Sequence, residues 1–241
     1  MPQLAPGAQF TIEFPDMPPT MSNVFVPSDK TKPSMTVFLP VNYNATTQHP
    51  LLVFLEGGSG GYGNEVRIAR KLAQDKDFIC VNMPLFKNTT GGTGPPRMQL
   101  DDADYRYMWS FQKKMLLKLG QLMPNIDPSH SALGGFSNGA HATTGLVAQS
   151  DGEVLKMFAA FFCVEGGVRM RRYELLRGRQ MLLLFGNASV SHQPIDQREQ
   201  EARAAGVEIV VHWMAEPIGH AFPESEYPFV TDWLRNVVLK Q

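Results

Sequence analysis

Cysteine, net charge and long apolar runs are all scarce in this 241-residue chain. The two cysteines, Cys80 and Cys163, are too few for a disulfide framework or a cysteine-based zinc site. Both sit inside apolar stretches, which marks them as buried thiols. Lys+Arg is 22 and Asp+Glu is 23, a net charge of −1. That balance excludes attachment to nucleic acid or to an anionic membrane by bulk charge. The longest apolar runs, such as MFAAFFCV, fall far short of the roughly 18 residues that a membrane span needs. The opening MPQLAPGAQF lacks the basic and apolar blocks of a signal peptide. A secreted chain trimmed of its signal would read the same, so cytoplasmic and secreted locations both stay open. No H-E-x-x-H spacing is present, and neither a metal nor a cofactor is expected.

What the chain does have is core material and a regular alternation. Hydrophobic residues make up 43% and charged residues 19%, which excludes wholesale disorder. Residues 1–34 are rich in Pro and Ser and read as a lead-in with edge strands at FTIEF and NVFVP. MTVFLP is a short strand. LLVFLE, DFICVNMP, SALGGF, MFAAFFCV, QMLLLF and VEIVVHW are strand-length apolar runs, as expected of strands buried on both faces. Between them lie helical stretches: EVRIARKLAQ, NGAHATTGLVAQS, a short YELLRG and QREQEARAAG. In a further long helix Met108, Phe111, Met115, Leu119 and Leu122 recur at spacings of three and four. A last helix is expected from about Glu224 to Val238. Such alternation implies parallel strands joined by right-handed crossovers. The expectation is one α/β domain over residues 1–241, with an irregular insertion at 87–100 around GGTGPP.

One segment carries chemistry. Gly135-Phe136-Ser137-Asn138-Gly139 matches G-x-S-x-G, with an apolar strand before it and a helix after it. A serine there sits on a tight strand-to-helix turn, and small residues two before and two after prevent backbone clashes. The loop Glu56-Gly57-Gly58 ends the strand LLVFLE, and ligands in open α/β sheets bind at the carboxyl ends of strands. The Gly57 and Gly58 amides, with the N–H of Asn138, can form an oxyanion hole. A base is then required. Chain order for this arrangement is serine, acid, histidine. Of the later histidines, His141 is one turn into the helix and His212 is within a strand. His192 is in a loop, and His220 lies in AEPIGHAFP just before the last helix. A loop position there can reach back over Ser137, which favours His220.

With these pieces in hand, the text "FLPVNY…HPLLVFLEGG", "IDPSHSALGGFSNGA" and "GH" before the last helix resembles the α/β-hydrolase family, nearest its esterase and depolymerase-like branch, over about residues 35–240. The resemblance implies an α/β-hydrolase fold, Ser137 as nucleophile, His220 as base, and Gly57, Gly58 and Asn138 as the oxyanion hole. Two departures stand out. Glu56 occupies the place where the family usually has histidine. The family's acid usually follows the strand that is here QMLLLF, yet Ser189 falls at that place and the first carboxylate is Asp196. Some members take the acid from the preceding strand, where this chain has Glu165 beside Gly166-Gly167. Glu165 is therefore the favoured acid, Asp196 the alternative, with a helix N-cap as its bland reading. Absence of a working acid is a third possibility.

The function so implied is hydrolysis of small-molecule carboxylic esters by a serine through an acyl-enzyme. A serine peptidase, or a non-catalytic binding protein of the same fold, remains as an alternative. No nucleic-acid or membrane partner is expected, and the oligomeric state is open. Three matches to the glycosylation sequon, at Asn44, Asn88 and Asn187, read as chance. The basic run RMRRYELLRGR reads as a solvated face or an anion patch. Phe86, Tyr105, Tyr107 and Trp109 read as core or as cleft lining.

Overall fold

The computed structural model describes residues 2, 4–15, 34–58, 66–85, 100–167, 170–189, 195–215 and 217–240. Eight strands form one sheet. They are β1 Gln9–Glu13, β2 Ser34–Phe38, β3 His49–Leu55, β4 Ile79–Asn82, β5 Ile126–Phe136, β6 Ala160–Val164, β7 Gln180–Gly186 and β8 Glu208–Met214. Their spatial order is β1-β2-β4-β3-β5-β6-β7-β8. The two pairings at the β1 end are antiparallel, and every pairing from β4 to β8 is parallel. The expected strand NVFVP and residues 87–99 of the expected insertion lie outside the described residues.

Burial on both faces explains the continuous apolar text of the central strands. Leu51, Val53 and Leu55 of β3 point into one core. Leu52 and Phe54 point into the other. The first core is closed by α2 Asp102–Leu122, α3 Asn138–Gln149 and α4 Ile195–Ala204, with Met108, Met115 and Leu119 of α2 fully buried. The second is closed by α1 Arg67–Ala73 and α5 Tyr227–Trp233, through Leu72, Val230 and Trp233. Helix α2 starts where it does because Asp101 and Asp104 form a reciprocal capping box.

Several boundaries differ from the sequence reading. β5 begins earlier than SALGGF, at Ile126. β6 is shorter than MFAAFFCV, because the chain before it turns in a 3-10 segment at Val154–Lys156. The last helix is three pieces: a 3-10 turn at Glu224–Glu226, α5, and a π-helical turn at Leu234–Leu239. YELLRG forms a 3-10 turn at Tyr173–Leu176. Asp196 falls inside the first turn of α4 rather than at its cap. Both cysteines are buried, and burial pushes each thiol well above its ordinary pKa.

Candidate active site

Ser137 lies between β5 and α3 with φ 54° and ψ −114°. Left-handed backbone at a non-glycine residue costs on the order of 1–3 kcal/mol and persists only where the surroundings hold it. Here they do. The Ser137 N–H donates to the Val164 carbonyl at 2.9 Å, and the His141 N–H donates back to the Ser137 carbonyl at 3.0 Å. A Cβ on Gly139 would lie 1.8 Å from the Leu55 carbonyl oxygen, and one on Gly135 2.4 Å from the Gly139 carbonyl carbon. The turn thus closes only if both flanking positions are glycine.

Ser137 Oγ is 2.8 Å from His220 Nε2, and His220 Nδ1 is 3.2 Å from Glu165 Oε2. Glu165 follows β6 with φ 53°, and its side chain is fully buried. Its N–H donates to the Leu184 carbonyl at 2.9 Å. One carboxylate oxygen accepts the Gly186 N–H. The other accepts the Ser189 hydroxyl as well as facing His220. Two donors besides the histidine suit an ionised carboxylate, which can only accept. With the proton on Nδ1 toward Glu165, Nε2 can accept a hydrogen bond from the Ser137 hydroxyl. The His220 side chain is 48% exposed, and its ring packs against Phe136 with centroids 5.2 Å apart. Its loop is seated where Gly186 leaves room: a Cβ there would be 2.1 Å from the Ile218 carbonyl oxygen.

Solved structures share this architecture. A fungal esterase from Rhizomucor miehei superposes over 97% of this chain and 85% of its own, with 12% identity and a TM-score of 0.66. A ferulic acid esterase covers 96% of this chain and 99% of its own, with 16% identity and a TM-score of 0.61. The Bacillus cereus carboxylesterase covers 84% of this chain and 93% of its own, with 16% identity and a TM-score of 0.59. No protein-family model and no curated protein sequence matches the chain. The chain has the α/β-hydrolase fold.

Within this α/β-hydrolase fold, the remaining residues singled out from the sequence fall as follows. Gly57 and Gly58 follow β3, Gly58 with φ 59°. The Asn138 side-chain amide donates to the Gly58 carbonyl at 3.2 Å. That bond ties the glycine loop to the first turn of α3, whose leading backbone N–H groups have no acceptor within the helix. Glu56 is half-buried beside Gly57, and its charge acts on Tyr227. Burial first, then the charges of Glu224 and Glu56, raise the Tyr227 phenol above its ordinary range. Asp196 is exposed on α4 and does not pair with His220. His212 is in β8, as expected, and His192 lies outside the described residues.

Three contributors carry no signal in the local sequence. Ser189 and Gly186 hold the Glu165 carboxylate. His141 Nδ1 accepts the Gly167 N–H at 3.2 Å, so its ring braces the turn that follows Glu165. The aromatics divide. Trp109 is buried and donates to Glu153 at 2.9 Å, Tyr107 packs edge-on to Phe111, and Phe86 lies outside the described residues. Tyr105, His141, Met170 and Arg171 line a cavity of about 680 Å³ between α2 and α3. In the basic run, Arg172 donates to the Ala148 carbonyl and pairs with Glu174. Among the described residues no group of three or more His, Cys, Asp or Glu side chains converges on a metal position. No described helix is long and apolar enough to cross a membrane.

Proposed function

We propose that this chain is a serine hydrolase that cleaves carboxylic esters through an acyl-enzyme. The observation that carries the reading is the 2.8 Å contact between Ser137 Oγ and His220 Nε2, made by a serine on a strained turn. His220 Nε2 takes the Ser137 proton as Oγ bonds to the ester carbonyl carbon. The carbonyl oxygen becomes an oxyanion, received by the N–H of Asn138 and by the Gly57-Gly58 loop. Glu165 faces the imidazolium that forms. Collapse breaks the bond to the alcohol oxygen, which leaves with the proton from Nε2. A water then attacks the acyl carbon while Nε2 takes its proton. Release of the carboxylic acid returns that proton to Ser137.

The similar folds include a protein named as a dipeptidyl aminopeptidase IV, of which this chain covers 35%, but the several esterases it covers over most of their length support an ester over an amide substrate. Treatment with a fluorophosphonate, followed by peptide mass spectrometry, tests the reading. The expected result is one adduct, on Ser137, with loss of turnover of a short p-nitrophenyl ester. Failure of the reagent to modify Ser137 sinks the reading in favour of a non-catalytic binding protein. In the Ser137→Ala variant ester turnover falls at least about a thousandfold, as removal of a nucleophile does.

A further inference from the structure

The chain holds a second histidine–glutamate pair, outside the site. His212 Nε2, in β8, is 2.8 Å from Glu226 Oε2, fourteen positions along. The segment between them is the one that carries His220. Glu226 is 8% exposed, and among the described residues its carboxylate has no other side-chain partner. The His212 ring lies flat on Phe229 of α5, with centroids 3.7 Å apart and planes 17° apart. The pair therefore joins the last strand to the start of α5 on the face opposite α4.

His220 stands between two anchors of its loop. Upstream, the Ala188 N–H donates to the Ile218 carbonyl at 3.1 Å. Downstream there are three holds. Phe222 stacks on Phe54 with centroids 6.2 Å apart. Glu224 pairs with Lys71, but both side chains are solvent-exposed, and exposed pairs contribute about 0–1 kcal/mol. Glu226 is the buried charge of the three. With His212 gone, its carboxylate is left desolvated and unpaired, which is strongly unfavourable. The Glu224–Glu226 turn can relieve this by swinging toward water, and that turn ends the His220 loop.

We propose that His212 and Glu226 are positioning residues that set His220 against Ser137, a role that rests on the serine-hydrolase reading above. Misplacement by about 1 Å costs up to about a hundredfold in rate. His212→Ala and Glu226→Ala each lower kcat about ten- to a hundredfold, with KM within about twofold. The double variant is no slower than the slower single, since both remove one bond. His212→Gln, whose amide can still donate to Glu226, recovers most of the loss.

The experiment measures kcat and KM of these variants on a p-nitrophenyl ester, well below each variant's melting temperature, with fluorophosphonate labelling in parallel. His212→Leu, which fills the space but cannot donate to Glu226, is added in case the alanine variants do not fold. It loses kcat as His212→Ala does, with KM unchanged. If His212→Ala or His212→Leu melts at lower temperature yet keeps wild-type kcat, the pair only stabilises the fold and the proposal is overturned. The same holds if His212→Gln is as slow as His212→Ala. A wild-type protein that is neither labelled at Ser137 nor active would instead defeat the hydrolase reading itself.

Discussion

Ser189 donates its hydroxyl to Glu165 Oε2, the carboxylate oxygen that also faces His220 Nδ1. The serine on the loop after β7 thus supports a carboxylate projected from the end of β6. Because Glu165 is fully buried, loss of one donor leaves charge undercompensated, at about 1–3 kcal/mol. Ser189→Ala is expected to lower kcat/KM about tenfold and to lower the melting temperature by several degrees. Steady-state kinetics and calorimetry on the same preparation check both.

On the proposed mechanism, Glu165→Gln removes the charge that faces the imidazolium and favours the wrong tautomer of His220. By analogy with replacing the aspartate of a triad, the rate falls by roughly 10²–10⁴ while the fold survives. Asp196→Asn, on the exposed face of α4, leaves the rate unchanged. Equal losses in the two variants would reject Glu165 as the acid.

Gly139→Ala places a methyl carbon 1.8 Å from the Leu55 carbonyl, where neither backbone can yield cheaply. Overpacking of this kind typically costs about 1–3 kcal/mol, occasionally more. The variant is expected at the upper end, seen as a lowered denaturant midpoint with unchanged slope.

Cys80 and Cys163 are buried, with thiols pushed well above their ordinary range by desolvation. The thiolate is the reactive form. Neither should react with a thiol-specific chromogenic disulfide in the native protein at pH 8, and both should react once the chain is unfolded.

Asp127 gives a pH dependence of definite sign. Burial by itself pushes its carboxyl up, but hydrogen bonds from Ser129 and the contact with His130 outweigh that and hold it below the ordinary value. His130 Nδ1 is 2.6 Å from Asp127 Oδ2. A carboxyl depressed on folding stabilises the protein above its unfolded pKa, about 3.9. That contribution disappears as pH falls through the lower folded value. Asp127→Asn should therefore be less stable than the parent at pH 6, with the gap closing as the pH drops below about 4. Urea unfolding across that range measures it.

Much of the fold is legible in the text because strand segments covered on both faces must be apolar, as β6, residues 51–55 of β3 and residues 181–185 of β7 are. Ser137 stands out because a strained turn demands glycines at fixed offsets, and His220 because, of the four histidines that follow, it lies in the loop just before the last helix. The partners of Glu165 are not legible in the same way. Which carboxylate reaches His220 depends on the pairing of Phe136 with Val164 and of Val164 with Leu184, a matter of register across three strands. Ser189 and His141 act on groups far along the chain, so nothing beside them in the sequence announces the contact. The π-helical turn at Leu234–Leu239 is likewise hidden, since an apolar stripe reads alike for adjacent helical hydrogen-bond patterns.

Because Glu165 rises from β6, next to the strand that presents Ser137, serine and carboxylate stand on neighbouring rungs of one rigid sheet. The histidine alone is borne by a loop. On the proposed mechanism, any adjustment during turnover falls on the one side chain that exchanges protons with successive partners, while the other two keep their separation. The stretch after β7 is asked for little more than a hydroxyl and an amide. Residues 187–189, the described part of that stretch, carry no charge of their own, so the buried charge at the site is supplied from β6 alone.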